Sequence, residues 1–268
     1  MTTNLSVAIK YGAHSDLDEN AGRAHFLEHM IPGGSSKRIN ISRKAEYLGG
    51  VINFFTYPEF TCGIVSVTPD KISEASHLMS EILFDQGFEQ EKFETERQII
   101  KNEIRRLDDD DSEIVNQMLR NCLFKSHPVR REIAGSRKSI SELSIKKIVE
   151  AQSSYYTLSN MILVLTGKFS EKDVDLVLND FSFEAKNEKV PTKQFSMEKS
   201  KTKRKITRSK PGLSQTNLSI GARTVPSRHP DAPVMDLITT MLGTGFSSRL
   251  FIEVREKQGL TYDIPASH

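Results

Sequence analysis

The chain has 268 residues, of which 37% are hydrophobic and 27% charged, and its 37 basic and 35 acidic side chains give a net charge of +2. This composition excludes a disordered tail or a coiled-coil rod, and the near-neutral balance argues against nucleic acid, which usually binds a clearly basic face. No apolar run approaches the roughly 20 residues that span a bilayer, so we expect no membrane segment and one or two globular domains.

Period-two alternation and helical spacing predict the first elements. Residues 5–11 are typical of a half-buried strand, and residues 21–30 are compatible with a helix that has Asn20 as its N-cap. A short helix follows at 41–48. The runs VINFFTY and EFTCGIVSV then predict two strands joined by a tight antiparallel turn at Pro58.

Helices dominate the next part of the chain. Amphipathic periodicity predicts helices at 71–84, 90–107, 112–124 and 140–151. The most apolar run, MILVL at 161–165, follows, and we expect it to form a central strand. Because helices and strands are mixed and the early pairing is antiparallel, the sequence predicts an α+β fold, with helices on one side of an antiparallel-rich sheet.

A polar, lysine-rich stretch at 183–211 follows the apolar strand. Its basic cluster, 199–210, could be a phosphate or membrane-surface patch, but no aromatic residues are interleaved, which favours a solvated linker. We therefore predict a domain at 1–185, a linker at 186–202 and a second unit at 203–268.

The second unit contains three predicted elements. A strand at 215–222 precedes helices at 232–242 and 247–256. The order strand, helix, helix then stops at His268, so strand ends and helices lack the partners that would cover them. We expect this unit to be incomplete.

Cysteine usage and the amino terminus bear on the compartment. Cys62 and Cys122 are distant and form no C-x-x-C pair, which argues against a disulfide framework or a thiolate zinc site. The first residues lack the basic and apolar regions of a signal peptide. We therefore expect a cytoplasmic protein.

One pentapeptide, His25-Phe26-Leu27-Glu28-His29, carries the strongest chemical signal. On a helix, His25 and His29 project from one face and can share a tetrahedral zinc ion, while Glu28 beside them can take a proton from a water that the metal activates. This H-x-x-E-H pattern is the inverzincin motif. The alternative is a surface helix that carries two histidines by chance.

The predicted helix at 90–107 offers a third ligand. Glu96 and Glu103 share a stripe with apolar residues that must point inward, and an inward carboxylate needs a partner. That partner is either a metal site or an arginine of the same helix. From the residues alone the two alternatives are even.

These residues resemble the pitrilysin family (M16) of zinc metallopeptidases, in size and motifs its bacterial and mitochondrial processing peptidase-like members. The segment from Glu96 to Glu103 matches the family's E-x-x-x-x-x-x-E pair. The resemblance implies that His25, His29 and Glu103 bind one Zn²⁺ per chain, that Glu28 is the general base, and that Glu96 supports the site from behind. It also implies a complete family domain, without its first strand, followed by the first part of a homologous second domain.

The strand segment from Gly49 to Thr61 is similar to the family's G-G-x-x-N-A-x-T-x-x-E-x-T pattern. The resemblance implies that Asn53, Phe54 and Thr56 contact substrate, which adds to this edge as another strand. Phe54 stands where the family usually has alanine, so we expect its ring to narrow the channel or change the preferred side chain. For Asn53, a turn or ladder role is an even alternative.

The segment that ends at Tyr262 is similar to the family's second-domain signature R-x-x-x-G-L-x-Y. The resemblance implies that Arg255 and Tyr262 hold the substrate backbone and stabilise the oxyanion of the tetrahedral intermediate. Taken alone, Arg255 in a charged helix is more often a surface residue.

Together these features predict a zinc-dependent endopeptidase that hydrolyses extended peptides or unfolded protein segments. The alternatives are a non-catalytic assembly or partner subunit of the same fold and a metal-binding module without turnover. Non-catalytic subunits usually lose a histidine or the glutamate of the pentapeptide, and all three are present here. The exposed edges of an incomplete unit predict a homo-oligomer or a complex with a complementary M16-like chain.

Overall fold

The computed structural model describes residues 2–184, 190–191, 195, 198 and 204–268. It divides the chain into two compact units, of which the first ends at Ser219 and the second comprises Ile220–His268. The division at 1–185, 186–202 and 203–268 stays a prediction. Within the described residues, every helix is too short or too polar to cross a membrane.

The first unit is built on a four-stranded antiparallel sheet. Its strands are β1 (Thr3–Ile9), β2 (Val51–Thr56), β3 (Thr61–Val67) and β4 (Met161–Gly167), in the order β2-β3-β1-β4. In the register of the sheet, Val7 of β1 lies opposite Gly63 on one side and Leu163 on the other. The predicted hairpin at Pro58 is confirmed, and its outer strand β2 is an edge of the sheet.

The predicted central position of the MILVL run is wrong, because β4 is the other edge strand. In the part of the chain that the structure describes, its residues pair only with β1. Ile162 and Val164 are 66% and 44% exposed, so β4 buries only one of its faces. An unbroken apolar run does not distinguish a central strand from an edge strand whose outer face is also apolar.

Helices cover one face of the sheet. Leu5, Val7, Ile9, Val65 and Val67 point inward from β1 and β3 and are buried in the core. The alternate residues of both strands are only partly buried. This period-two pattern confirms the predicted α+β architecture with helices on one side.

The described residues of the first unit form eight α-helices, which lie in this layer or beside it. They are α1 (Arg23–Gly33), α2 (Ser36–Tyr47), α3 (Ile72–Phe84), α4 (Gln90–Asp109), α5 (Asp111–Leu123), α6 (Arg137–Glu142), α7 (Ile145–Tyr155) and α8 (Glu171–Glu184).

Three helical predictions need correction. The single helix predicted at 140–151 is the pair α6 and α7, since Ser144 is extended and its side chain caps α7 by accepting from the Lys147 N–H. Helix α8 was not predicted from the sequence. The predicted cap Asn20 is also wrong: α1 begins after Gly22, whose φ of 89° lies in the left-handed region.

The second unit contains α9 (Ala232–Gly243) and a π-helical segment, Phe251–Glu256. The strand predicted at 215–222 does not form. Leu218 and Ile220 are 78% and 86% exposed, and within the described part of the chain no strand pairs with this segment. Alternation predicts a strand only where a neighbour supplies the other half of the ladder.

Candidate metal centre

Helix α1 presents both histidines of the pentapeptide on one side. The His25 and His29 rings lie one turn apart, with centroids separated by 4.7 Å in an edge-on arrangement. His25 is buried and His29 partly buried. Phe26, between the two histidines in sequence, is fully buried in the core.

Helix α4 brings the two glutamates to the same place. It packs on α1 through Phe93, whose ring stacks on Phe26 at 4.6 Å. One turn further along α4, the Glu96 carboxylate lies 3.1 Å from Nδ1 of His29. Two turns beyond that, Oε2 of Glu103 lies 3.7 Å from Nε2 of His25 and 3.6 Å from Nε2 of His29.

These separations suit a metal site with three protein ligands. The ligand atoms of His25, His29 and Glu103 all lie within 4.8 Å of one another. A tetrahedral zinc ion with bonds of about 2.0–2.2 Å holds its ligand atoms about 3.3–3.6 Å apart. The distances of 3.7 and 3.6 Å from the Glu103 carboxylate to the two imidazoles lie close to this range. Glu96 on the far nitrogen of His29 gives the carboxylate–histidine support typical of bound zinc.

The alternative partners of the two glutamates were arginines of the same helix. Among the described residues, neither Glu96 nor Glu103 forms an ion pair with an arginine. Arg97 instead pairs with Glu94 at 2.9 Å and donates to the carbonyl oxygens of Ile140 and Ser141. The inward carboxylates of α4 therefore face the imidazoles.

Burial and the neighbouring carboxylates shift the pKa values of the clustered groups. Burial, reinforced by the neighbouring His29, lowers the pKa of His25 to about 4. Burial alone would also lower the pKa of His29, but hydrogen bonds with Glu103 and Glu96 raise it to about 9. The hydrogen bond with His29 in turn lowers the pKa of Glu103. The site thus stabilises positive charge between the imidazoles and the carboxylates, where a divalent cation would replace the proton.

The third residue of the motif, Glu28, lies beside the cluster and is not part of it. Burial raises the pKa of the Glu28 carboxyl, and this effect is opposed by hydrogen bonds from the side chain and the backbone N–H of Thr56. Thr56 ends the edge strand β2. Thr56 thus places the Glu28 carboxyl between α1 and the edge of the sheet.

A groove of about 510 Å³ opens next to the cluster. Its lining contains Glu28, His29 and Glu96 together with residues of α1, α2 and β2, including Ile52, Asn53 and Phe54. The exposed Asn53 accepts a hydrogen bond from the Phe54 N–H through its own side chain at 2.9 Å. An extended segment in this groove would lie along the edge of β2.

The Phe54 ring lies in a different place from the one expected. It is 7% exposed and belongs to the hydrophobic core, where it covers Gly63 so closely that a Cβ there would be 2.7 Å from the ring. Phe54 also borders the groove, together with its neighbours Ile52 and Asn53.

Arg255 and Tyr262 lie in the second unit and contact each other. The guanidinium carbon of Arg255 is 4.6 Å from the centre of the Tyr262 ring and 4.5 Å from that of Phe251. Tyr262 is 84% exposed, so its hydroxyl is accessible. Their role toward a substrate stays a prediction.

Sequence reasoning missed one residue close to the site. Arg38 of α2 is fully buried where α1 ends. The available signal was its position: Arg38, Ile41 and Ala45 share one helical stripe, and the other two are apolar. A charged residue on a buried stripe needs a specific set of acceptors.

The fold and this donor set define a class: an α+β protein with a candidate site of two histidines and one glutamate, the ligand set of many catalytic zinc sites. A family model described as Insulinase (Peptidase family M16) matches residues 1–137, and one described as Peptidase M16 inactive domain matches residues 142–268. The chain therefore belongs to peptidase family M16, and the resemblance to the pitrilysin family is confirmed.

Curated relatives carry names that agree with this membership. The uncharacterized zinc protease YmxG of Bacillus subtilis is 26% identical over 98% of this chain and 64% of its own length. An uncharacterized zinc protease of Mycobacterium leprae is 28% identical over 98% of this chain and 60% of its own length. The chain thus spans about three fifths of the length of the relatives it matches.

Solved structures show the same fold. A protease from Helicobacter pylori superposes with a TM-score of 0.79 at 22% identity, covering 96% of this chain and 64% of the other. Pitrilysin superposes with a TM-score of 0.64 at 18% identity, covering 73% of this chain and 22% of pitrilysin.

Proposed function

We propose that the chain is the zinc-binding part of an endopeptidase that hydrolyses extended peptides or unfolded protein segments. The observation that carries this proposal is the convergence of His25, His29 and Glu103 within 4.8 Å, with the Glu28 carboxylate beside them. The zinc protease names of the relatives support it.

Each residue of the site has a separate task in the proposed reaction. His25, His29 and Glu103 would hold one Zn²⁺, which when bound polarises the scissile carbonyl and acidifies water. Glu28 takes the proton from the attacking water and delivers it to the leaving amine, and Thr56 keeps its carboxylate oriented. Glu96 holds the Nδ1 proton of His29, so that Nε2 faces the cluster.

The free edge of β2 is the proposed site of substrate backbone binding. A peptide that adds to this edge lies along the groove and reaches Glu28 at its end. Asn53 and Thr56 are proposed contacts along the strand, and Phe54 acts through its main chain because its ring is in the core. Arg255 and Tyr262 are proposed to hold the substrate backbone and the developing oxyanion.

We also propose that the active assembly contains a second copy or a complementary chain of the same family. Both edges of the sheet are unpaired among the described residues, and β4 exposes apolar side chains, which supports this proposal. Size-exclusion chromatography with light scattering tests it, and a stable, active monomer would contradict it.

Both cysteines are free, which supports a reducing compartment such as the cytoplasm.

The proposed activity is tested by elemental analysis of the purified protein beside cleavage of an internally quenched peptide. We expect about one zinc per chain and hydrolysis that stops with a chelator and returns with zinc. Because the chain spans about three fifths of its relatives, the assay includes the chain together with a candidate complementary chain. A zinc-loaded assembly that leaves every unfolded substrate intact would contradict the proposal.

A further inference from the structure

Arg38 is the largest fully buried side chain of the described residues. One amino group of its guanidinium donates to the carbonyl oxygens of Ile31 at 2.9 Å and Ile82 at 2.5 Å. The other donates to the carbonyl oxygen of Asp85. The Phe88 ring covers the group, with its centre 4.4 Å from the guanidinium carbon.

The acceptors of Arg38 are helix ends. Ile31 lies in the last turn of α1 and Ile82 in the last turn of α3, where carbonyl oxygens have no partner within their own helix. The negative ends of two helix dipoles therefore face one cation. Burial lowers the pKa of Arg38 to about 10, so the group still carries its charge at neutral pH.

Further contacts attach the same junction to the start of α4. The Glu89 N–H donates to the carbonyl oxygen of Gly34 at 2.8 Å, and the Glu89 carboxylate accepts from the Ser36 N–H at 2.8 Å. Nε of Arg38 lies 3.4 Å from the Asp85 carboxylate. We call Arg38, Asp85 and Glu89, together with the carbonyl groups of Ile31, Ile82 and Gly34, the helix clamp.

The helix clamp joins the end of α1 to the start of α4, the two helices that carry the metal centre. Its α1 end is the carbonyl of Ile31, two residues beyond His29. Its other end leads directly into α4, which starts at Gln90 and carries Glu96 and Glu103. The two helices also meet at the Phe26–Phe93 stack, at Gly33, which lies against Glu96, and at the metal cluster itself. A shift of the clamp would move the end of α1 relative to the start of α4, and with it the imidazoles relative to the carboxylates.

We propose that Arg38 is a positioning residue of the metal centre, which fixes the separation of the histidine helix α1 and the glutamate helix α4 and thereby sets zinc affinity. This inference rests on the proposed zinc site. It assigns to Arg38 no contact with metal or substrate.

The test compares Arg38→Met, Arg38→Lys and the wild-type chain. Zinc affinity is measured by competition with a chelator of known affinity, at a temperature where all variants are folded by circular dichroism. Cobalt(II) is then added to the metal-free proteins, because its visible absorption reports coordination geometry. The matched control is Val177→Ala, which removes two buried methyl groups from α8 and leaves the clamp intact.

We expect Arg38→Met to weaken zinc binding at least 10-fold and to lower or shift the tetrahedral cobalt band. Arg38→Lys keeps the charge but not the fork, so it should recover only part of the affinity. Val177→Ala should lose melting temperature while keeping wild-type zinc affinity and cobalt spectrum. Should Arg38→Met not fold, Glu89→Ala replaces it, for which we expect a 2- to 5-fold loss.

The outcomes distinguish a failure of the Arg38 inference from a failure of the proposed function. Wild-type zinc affinity in the Arg38 variants would overturn this inference and leave the proposed function standing, and so would an equal loss in Val177→Ala. A wild-type chain that binds no zinc would contradict the proposed function and this inference together.

Discussion

At the scale of single residues, three glutamates near the two histidines have different surroundings and hence different tasks. Glu103 faces Nε2 of both imidazoles, Glu96 faces Nδ1 of one, and Glu28 faces the groove. A glutamate that binds the metal must lie near the imidazole nitrogen that also binds it. A glutamate that supports the histidine must lie near the other ring nitrogen, and a general base needs to contact neither. Conservative substitutions should therefore separate the three.

The first residue-scale prediction concerns Glu28→Gln. We expect it to lower kcat for peptide cleavage by roughly 10²–10⁴-fold, because an amide cannot accept the proton of the attacking water. Bound zinc should stay at the wild-type level, since Glu28 is not one of the clustered ligands. Steady-state kinetics beside metal analysis checks both. A variant with the wild-type rate would mean that another group is the base.

The second residue-scale prediction compares Glu103→Gln with Glu96→Gln. Loss of a support behind a liganding histidine typically weakens metal binding about 10–100-fold, and we expect that for Glu96→Gln. Glu103→Gln should lose more, because it removes the only carboxylate near both Nε2 atoms in the described cluster. Chelator competition gives both affinities. The reverse order would exchange the assigned roles.

Sequence patterns predicted the chemically distinctive residues of the site and missed those that hold it in place. The two histidines one turn apart can be recognised from the spacing within one helix, and so can the two glutamates on an apolar stripe. Arg38 binds carbonyl groups of three distant residues, and main-chain acceptors leave no trace in a sequence. The inward turn of the Phe54 ring depends on the space above Gly63, which likewise only the paired strands create.

At the scale of elements, the start of α1 is the point where backbone conformation determines the site. Gly22 has a φ of 89°, and a Cβ there would lie 2.5 Å from the carbonyl oxygen of Ala134. The next turn is fixed by Asp16, whose carboxylate accepts from the Ala24 N–H at 3.1 Å and from the Tyr11 hydroxyl at 2.8 Å. His25 follows directly.

The element-scale prediction is that Gly22→Ala lowers the free energy of unfolding by roughly 2–4 kcal/mol. A left-handed backbone costs a non-glycine residue about 1–2 kcal/mol, and the clash with Ala134 adds to it. Gly49→Ala is the matched control, because Gly49 has a φ of 75° but open space around its Cβ position. Denaturant unfolding measures both. Equal losses would show that the close approach to Ala134 does not matter.

Elements were predictable where a segment buries one face over several turns. The stripe of α4 and the alternation of β1 and β3 gave their positions closely. Properties that depend on neighbours were not predictable, namely the edge position of β4 and the missing strand at 215–222. The break between α6 and α7 also escaped notice, although Ser144 is a typical N-cap.

At the scale of the whole molecule, acid sensitivity is expected from a pair of histidines away from the metal centre. The His14 and His127 rings meet edge-on with centroids 5.8 Å apart. Burial lowers the pKa of His14 to about 4, and the charges of His127 and Arg131 act in the same direction. Burial also lowers the pKa of His127.

These shifts predict a loss of stability as the pH falls from about 6.5 to 4. In that window the unfolded chain binds a proton at His14 that the folded chain does not, so unfolding is favoured by acid. Because the His14 ring is only half-buried, solvent screening reduces the effect to about 1 kcal/mol. Urea unfolding at pH 7 and pH 5, with chelator present, should show a smaller pH difference for His14→Asn than for the wild type. Equal differences would contradict this assignment.

The central feature of the proposed site is one metal ion held by two imidazoles of α1 and a carboxylate of α4. X-ray absorption at the zinc edge of the loaded protein measures this directly. We expect a first shell of nitrogen and oxygen atoms at about 2.0–2.2 Å, with the outer scattering of two imidazoles, and the loss of one oxygen in Glu103→Gln. A shell with sulfur at about 2.3 Å, or one unchanged by Glu103→Gln, would contradict the proposed centre.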